Sequence, residues 1–323
     1  MTDTIRWGVL GAANFARQHM APAIHGARGA ELSALATSSE EKAAPFRAFA
    51  PGLRVHGTYE ALLADPEIDA IYVPLPNHLH CEWALKALEA GKHVLVEKPM
   101  GLKATDLDPV IAARDRTGLL AAEAFMIVHH PQFQRARELV QGGAIGALVQ
   151  VDCVFSFMNR DGGNIRNRPE TGGGAMGDIG VYALGSARFV TGAEPEAVDH
   201  AHVVRENGVD VTARIAARFP GFLYSGTVSM RAFPRQYVAF HGEEGVLTLT
   251  CPFNAGVFDQ AALRLEREAG RVEIERWPGV NQYVLQVEAF GRSVRDGVPY
   301  DCPLEFSRGT QAMTDMVFAA ADG

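Results

Sequence analysis

Residues 1–122 alternate short apolar or β-branched runs with amphipathic stretches, and no other property of the chain narrows its fold so far. Runs that are apolar on both faces belong inside a parallel sheet, and the amphipathic stretches between them belong on its faces as helices. Strands are expected at residues 5–10, 31–36, 54–56, 70–73, 93–96 and 119–122. Helices are expected at 15–26, 40–49, 59–64, 79–90 and 103–116, the fourth closed by Gly91, a favourable residue just past a helix end.

After residue 123 the texture changes. Alternating runs at 148–157, 197–205, 209–219, 222–230, 237–241 and 245–250 are joined by turn signals such as Glu206-Asn207-Gly208 and Pro220-Gly221. Hairpin-linked alternation of this kind predicts a mainly antiparallel sheet with one covered face. Helices are expected at 131–141, 178–190 and 282–295. A chain of 323 residues also exceeds the usual size of one core. The expected architecture is therefore α/β plus α+β: a parallel-sheet domain over residues 1–122, then an open-faced, mainly antiparallel β-sheet domain over 123–323 with helices on one side.

Charge and cysteine usage exclude several classes. A net charge of -8 with a pI near 5.8 gives no basic footprint for nucleic acid, so any bound phosphate needs local donors. The start, Met1-Thr2-Asp3-Thr4-Ile5-Arg6-Trp7, has no basic and apolar leader, and no later apolar run reaches the ~18 residues of a membrane span. A cytoplasmic, non-membrane protein is the expectation. Cys81, Cys153, Cys251 and Cys302 lie far apart without Cys-x-x-Cys spacing, which argues for reduced, mostly buried thiols rather than a metal site or disulfides.

The segment Gly8-Val9-Leu10-Gly11-Ala12-Ala13-Asn14-Phe15-Ala16 lies between the first expected strand and helix, where a dinucleotide fingerprint belongs. Gly11 permits the tight turn, and small residues after it let the backbone approach a pyrophosphate at the helix start. Ala13 and Ala16 stand where the second and third glycines would be. At the end of the second strand, Ala36-Thr37-Ser38-Ser39-Glu40-Glu41-Lys42 offers no acidic residue to accept ribose hydroxyls. Hydroxyls at Thr37 and Ser38 with Lys42 one turn on suit a phosphate, so NADP is favoured, with NAD possible. The competing reading makes Ser38 or Ser39 a helix N-cap and leaves Lys42 solvated.

Glu97-Lys98-Pro99 follows the apolar run Val94-Leu95-Val96 and so puts an ammonium at the carboxyl end of a buried strand, where open α/β sheets collect ligands. Pro99 restricts the residue before it to extended backbone. Asp178 and Tyr182 are four apart and share a helix face, and the glycine run 172–174 brings that helix start close to a ligand. Tyrosine ionises near pH ~10, and a nearby ammonium such as that of Lys98 moves it toward neutrality. The plainer alternative is Asp178 as a cap and Tyr182 as core. His129 or His130 is a candidate for the substrate pocket, and His80 reads as structural or cofactor-adjacent.

Taken together, the glycine turn, Pro74-Leu75-Pro76-Asn77 with His80, Glu97-Lys98-Pro99, and Asp178 with Tyr182 resemble the Gfo/Idh/MocA family of NAD(P)-dependent oxidoreductases over essentially the whole chain. Glu-Lys-Pro at a strand end is a highly specific marker of that family. Asn164-Ile165-Arg166 followed by residues 172–182 looks like the branch holding glucose-fructose oxidoreductase, D-xylose dehydrogenase and dimeric dihydrodiol dehydrogenase. The resemblance implies a Rossmann domain followed by a substrate-binding and oligomerisation domain, a sugar or polyol substrate, and a homodimer or homotetramer through the open sheet face. It implies cofactor contacts at Gly11, Ala12, Ala13, Asn14, Phe15, Thr37, Ser38, Lys42, Pro74, Leu75, Asn77, His80, Glu97 and Lys98. It implies substrate contacts at Lys98, His129, Arg166, Asp178 and Tyr182, with Lys98, Asp178 and Tyr182 catalytic and Tyr182 handling the proton. Two departures stand out: Ala13 replaces the second fingerprint glycine, and Val128 stands where relatives often carry arginine before His129.

The expected function is hydride transfer between NADP(H) and a cyclic sugar or polyol. Oxidation of an aromatic dihydrodiol is the enzymatic rival, favoured by a pocket rich in Phe155, Phe157 and Met158. A non-catalytic NAD(P) sensor is the rival of another class, and retention of both Lys98 and Tyr182 counts against it.

Overall fold

The computed structural model describes residues 4–322; the leader reading at Met1 to Asp3 and the terminal Gly323 lie outside them. By internal contacts the chain divides into two compact units. One gathers the chain through Gly101 with Thr105–Met126 and Asn281–Ser307. The other gathers Leu102–Ala104, Ile127–Val280 and the chain from Arg308 onward.

In the first unit, strands β1 (Ile5–Leu10), β2 (Ala30–Ala36), β3 (Arg54–His56), β4 (Ala70–Val73), β5 (His93–Val96) and β6 (Ala121–Glu123) form one sheet in the order β3-β2-β1-β4-β5-β6. Every neighbouring pair is parallel. This is the doubly wound Rossmann order, whose direction reverses between β1 and β4 and leaves a crevice beyond the strand ends. Both faces are apolar: on one, Val73, Val94, Val96 and Leu10 lie in a cluster with Leu62, Ala84, Leu88 and Val110 from the covering helices, and on the other Val9, Tyr72 and Leu95 are fully buried. The helix Gln282–Asp296 returns to this unit, where Phe290 meets the fully buried Trp7 with ring centroids 4.8 Å apart.

In the second unit, β7 (Leu148–Met158), β8 (Ala197–Glu206), β9 (Val209–Phe219), β10 (Phe222–Ser229), β11 (Arg231–Gly242), β12 (Gly245–Leu249), β13 (Ala262–Arg267) and β14 (Arg271–Arg276) form a sheet in the order β14-β13-β12-β11-β7-β10-β9-β8. Among the described residues only the β10–β7 pair is parallel. Along β9, Ala213, Ile215, Ala217 and Phe219 are buried while Arg214, Ala216 and Arg218 are exposed, so one face is covered and the other open. The helices Pro131–Gln141 and Val181–Thr191 pack on the covered face.

Several elements differ from expectation. The strand expected at 119–122 runs instead from Ala121 to Glu123, because Leu119 and Leu120 complete the approach from the preceding helix. The helices expected from 15 and 178 begin as π-helical turns, Ala16–Met20 and Met176–Gly180. The strand expected at 237–241 extends over Arg231–Gly242, where the exposed Phe233, Pro234 and Arg235 obscure the alternation. Strands β13 and β14 were not expected at all: β14 is a sheet edge whose Arg and Glu residues make it read as polar, as edge strands tend to. The helix Leu304–Asp322 was also unexpected, since its buried positions include Ser307, Thr310, Gln311 and Thr314 beside Leu304, Met313 and Val317, which dilutes the apolar period.

Candidate active site

The first unit carries a cleft of about 530 Å³ at the carboxyl ends of its central strands. Gly11, Ala12, Ala13, Thr37, Ser38, Lys42, Pro74 and Leu75 line it, as do Gly57, Thr58, Tyr59, Glu60, Pro76 and Trp83. Of the second group, Pro76 belongs to the Pro74-Leu75-Pro76-Asn77 motif and the others were not read from sequence; only Gly57 offered a signal, since it directly follows the short strand β3 in the same way that Gly11 follows β1. Gly11 has φ +90°, and a Cβ there would stand 3.1 Å from the Tyr59 hydroxyl and 3.3 Å from Leu75, so a side chain would fill the cradle the backbone forms. A strand-to-helix turn with that shape, small residues at Ala12 and Ala13, and a cleft of this volume suit a dinucleotide.

At the second strand end the N-cap is formed, and the Thr37, Ser38 and Lys42 side chains border the same cleft. Ser39 is the N-cap, its Oγ accepting from the Lys42 amide at 3.2 Å, while Thr37 Oγ1 accepts from the Ser39 amide at 3.2 Å. The Lys42 side chain is exposed and lines the cleft with Thr37 and Ser38. Asn14 is exposed, and Phe15 stands against His19 and Tyr283 with ring centroids 5.0 and 5.8 Å away. Asn77 is half-buried in the turn Asn77–Leu79.

The segment holding Lys98 is fixed from several sides. The Glu97 amide donates to the Val73 carbonyl at 3.0 Å, continuing the β4–β5 pairing by one residue. The Tyr72 hydroxyl donates to Glu97 Oε1 at 2.5 Å, and desolvation lifts the Glu97 carboxyl to about 7. The peptide Lys98-Pro99 is cis. Beyond it, the Met100 amide donates to Glu123 Oε1 at 2.8 Å and Cys81 Sγ donates to the Met100 carbonyl at 3.1 Å. His80 is fully buried, with Nδ1 2.7 Å from the Pro99 carbonyl and Nε2 2.7 Å from the Leu75 carbonyl. Burial pushes His80 down to about 4.

The second unit holds Arg166, Asp178, Tyr182 and His129. Arg166 Nε donates to Asp178 Oδ2 at 2.6 Å, so these two expected substrate residues form an ion pair, with Asp178 buried. The helix carrying Asp178 and Tyr182 starts where Asp210, buried on β9, accepts from the Met176 amide at 2.7 Å; Gly174 close to it has φ +133°. Burial raises the Asp210 carboxyl above its ordinary range. Tyr182 is buried against Phe155 and Phe253, with centroids 5.9 and 5.7 Å away. Gln236 Oε1 accepts from the Phe253 and Asn254 amides at 3.0 and 3.1 Å and so holds the loop that presents Phe253, a contact sequence reasoning missed because β11 and that loop are distant in the chain.

His129 is buried, whereas His130 caps the helix Pro131–Gln141, its Nδ1 accepting from the Gln132 amide at 3.1 Å. Val128 is fully buried, and its carbonyl accepts from Gln134 Nε2 at 2.6 Å. Phe155 is buried but Met158 is 53% exposed, so the three residues of the dihydrodiol reading do not share one wall. Among the described residues no group of three metal-ligating side chains occurs, the four cysteines are free, and no helix is long and apolar enough to cross a membrane.

Comparison with known proteins decides the family. Residues 5–125 match the oxidoreductase family with an NAD-binding Rossmann fold, and residues 133–248 match the GFO/IDH/MocA C-terminal domain. The chain belongs to the GFO/IDH/MocA oxidoreductase family. Within this family it is similar to an uncharacterised oxidoreductase of Rhizobium meliloti, with 38% identity over 99% of this chain and 98% of the relative. It is similar also to a dTDP-3,4-didehydro-2,6-dideoxy-alpha-D-glucose 3-reductase of Saccharopolyspora spinosa, with 36% identity over 94% of this chain and 91% of that one. Among solved structures, the 3-ketoreductase KijD10 of Actinomadura kijaniata, in complex with NADP and TDP-benzene, superposes with a TM-score of 0.90 at 31% identity over 98% of both chains. This GFO/IDH/MocA member is thus an NAD(P)-dependent oxidoreductase.

Proposed function

We propose that the protein is an NADP-preferring oxidoreductase that moves a hydride between the nicotinamide and a ring carbon bearing a hydroxyl or keto group on a cyclic sugar or polyol. The observation that carries this reading is the cleft in which the Gly11 turn meets Thr37, Ser38 and Lys42, with Glu97-Lys98-Pro99 at the end of β5 in the same unit. The Saccharopolyspora spinosa relative reduces a dTDP-linked didehydro-dideoxyglucose and KijD10 is a 3-ketoreductase, which favours a keto-sugar among the candidate substrates.

When bound, the dinucleotide supplies or accepts the hydride. Gly11, Ala12 and Ala13 would hold its pyrophosphate through their backbone, and Thr37, Ser38 and Lys42 the 2′-phosphate. In this reading the Lys98 ammonium stabilises the charge that develops on the reacting oxygen, and Tyr182 gives or takes its proton. Asp178, held by Arg166, orients a substrate hydroxyl. Lys98→Ala and Tyr182→Phe are each expected to lower kcat at least a hundredfold while NADPH binding persists, and full activity in either variant removes that residue from the mechanism. The assay is a spectrophotometric screen with NADP and NAD against aldoses, inositols, anhydro-sugars, keto-sugars and dihydrodiols. Silence across that panel with nucleotide still bound would replace the enzyme by a sensor.

The same reading makes the open sheet face an interface between copies of the chain in the cytoplasm. Leu223 is 55% and Phe233 87% exposed on the strands that form this face. Sedimentation velocity checks it: a monomer at micromolar concentration overturns the homodimer or homotetramer.

A further inference from the structure

We propose that Arg231 is a positioning residue that latches the neck of the loop 159–167 to the sheet and so keeps Arg166 in place to hold Asp178 for the substrate. The loop leaves the end of β7 and returns through the short turn Ile165–Asn167, which brings its two ends together. Asn167 Nδ2 closes that neck, donating to Asn159 Oδ1 at 3.0 Å and to the Asp161 carbonyl at 2.9 Å. Arg231, at the start of β11 and opposite Met158 in register, reaches both ends. Its Nη1 donates to the Asn159 carbonyl and, at 3.1 Å, to the Met230 carbonyl, while its Nη2 donates to Asn167 Oδ1 at 3.0 Å. Its Nε donates to Glu206 Oε2, at the end of β8, at 2.7 Å. Four of the five N–H groups of a rigid planar fork thus have acceptors on four different residues, and the side chain is only 10% exposed.

The neck matters because Asn167 directly follows Arg166, whose Nε donates to Asp178 Oδ2 at 2.6 Å. The Arg166 main chain has two other holds. Asn164 Oδ1 accepts from its amide at 3.1 Å, and its carbonyl accepts from the Gly174 amide at 3.0 Å. The first lies inside the loop and moves with it. The second ties Arg166 to the turn before the Asp178 helix, so the segment is anchored at Gly174 on one side and at the neck on the other. Without the Arg231 anchor it hinges on Gly174, and a carboxylate that must aim a substrate hydroxyl within a few tenths of an ångström loses a fixed partner. In this account Arg231 acts on the substrate only through Asn167 and Arg166. Its removal strands no charge in the interior, since Glu206 is 36% exposed and Arg160 Nη1 stands 3.6 Å from the same carboxylate oxygen.

The inference rests on the substrate role proposed for the Arg166–Asp178 pair, so one of its two readouts needs no reaction. Hydrogen exchange followed by mass spectrometry is expected to quicken about tenfold in peptides covering 159–167 of Arg231→Met, while peptides of β12 and β13 and the affinity for NADPH stay within about twofold of wild type. Turnover is the second readout, with NADP(H) and the sugar of the screen that reacts fastest. Arg231→Met is expected to lower kcat/KM about tenfold and Arg166→Met at least as far. Adding Arg231→Met to Arg166→Met should then change kcat/KM by less than about twofold, because the latch no longer holds anything the substrate meets. Unchanged exchange at 159–167 overturns the proposal. So do exchange quickened equally across the second unit and losses that multiply in the double variant, which are the marks of a residue that only supports the fold. Should Arg231→Met fail to fold, Arg231→Lys, which keeps the charge against Glu206 but not the fork, takes its place with the same expectations, and a Lys variant equal to wild type in both readouts overturns the latch. Arg166→Met with wild-type kcat/KM removes the pair from substrate binding, while exchange at 159–167 still decides whether Arg231 holds the loop.

Discussion

Gly174→Ala tests how the second unit aims Asp178 and Tyr182. Gly174 sits at φ +133°, and a Cβ built there would come 2.1 Å from Asp210 Oδ1. That oxygen does not swing away cheaply, because the other oxygen of the same short carboxylate accepts from the Met176 amide at 2.7 Å. Holding an alanine at such a φ costs about 1–3 kcal/mol. Displacing Asp210 from its helix-start amides adds about 1 kcal/mol for the lost cap and about 1 kcal/mol or more for a buried carboxylate left short of donors. The sum is about 3 kcal/mol or more, or roughly 6–12 °C in the unfolding midpoint. Thermal unfolding measures this, and kcat measured well below the midpoint should fall roughly tenfold as the turn carrying Asp178 shifts. In an Asp210→Ala background the clashing oxygen is gone, so the same substitution should cost only the backbone strain. The cycle is expected to show coupling of about 1–2 kcal/mol. Strict additivity, or a Gly174→Ala midpoint within about 1 °C of wild type, would refute the argument that one carboxylate is wedged between the glycine and the helix start.

Two further outcomes follow from the first unit. Lys42→Ala should raise the KM for NADP about tenfold and leave that for NAD unchanged, since the exposed Lys42 lines the cleft beside Thr37 and Ser38 and has no acidic neighbour at the strand end to serve a ribose; parallel changes for both nucleotides would count against a 2′-phosphate site. Desolvation raises the folded Glu97 carboxyl from 4.5 to about 7, so between those values the folded protein keeps a proton that the unfolded chain has released. The stability this provides is complete below about pH 4.5 and is lost as pH rises through about 7, and Glu97→Gln, which still accepts from Tyr72, should flatten that limb. Superimposable midpoint-against-pH curves for variant and wild type between pH 4.5 and 8 would contradict it.

Much of the fold was legible because it rests on local period. The strands Ile5–Leu10, Arg54–His56, Ala70–Val73 and His93–Val96 and the helix Pro131–Gln141 fall where their apolar patterns put them. The edge strand β14 and the helix Leu304–Asp322 were not legible, since charge on an exposed edge and hydroxyls in a buried face break those patterns. For the candidate site, Gly11, Thr37, Ser38, Lys42 and Leu75 could be named from their places at strand ends. Trp83, Tyr59 and Glu60 reach the same cleft from elements whose approach no local pattern reports.

The sequence by itself determined the alternation of strands and helices along the first unit, the glycine turn, the lysine at a strand end and the resemblance to the family, because each is written in neighbouring residues. Only the tertiary structure decided which side chains hold them. Asp210 comes from β9 to the start of the Tyr182 helix, Gln236 comes from β11 to the Phe253 loop, and the buried His80 ring lies between the Leu75 and Pro99 carbonyls. The physical reason is that a buried carbonyl or amide must find a partner wherever the folded chain supplies one. Strand order and side-chain reach choose that partner, and periodicity along the chain carries no record of either.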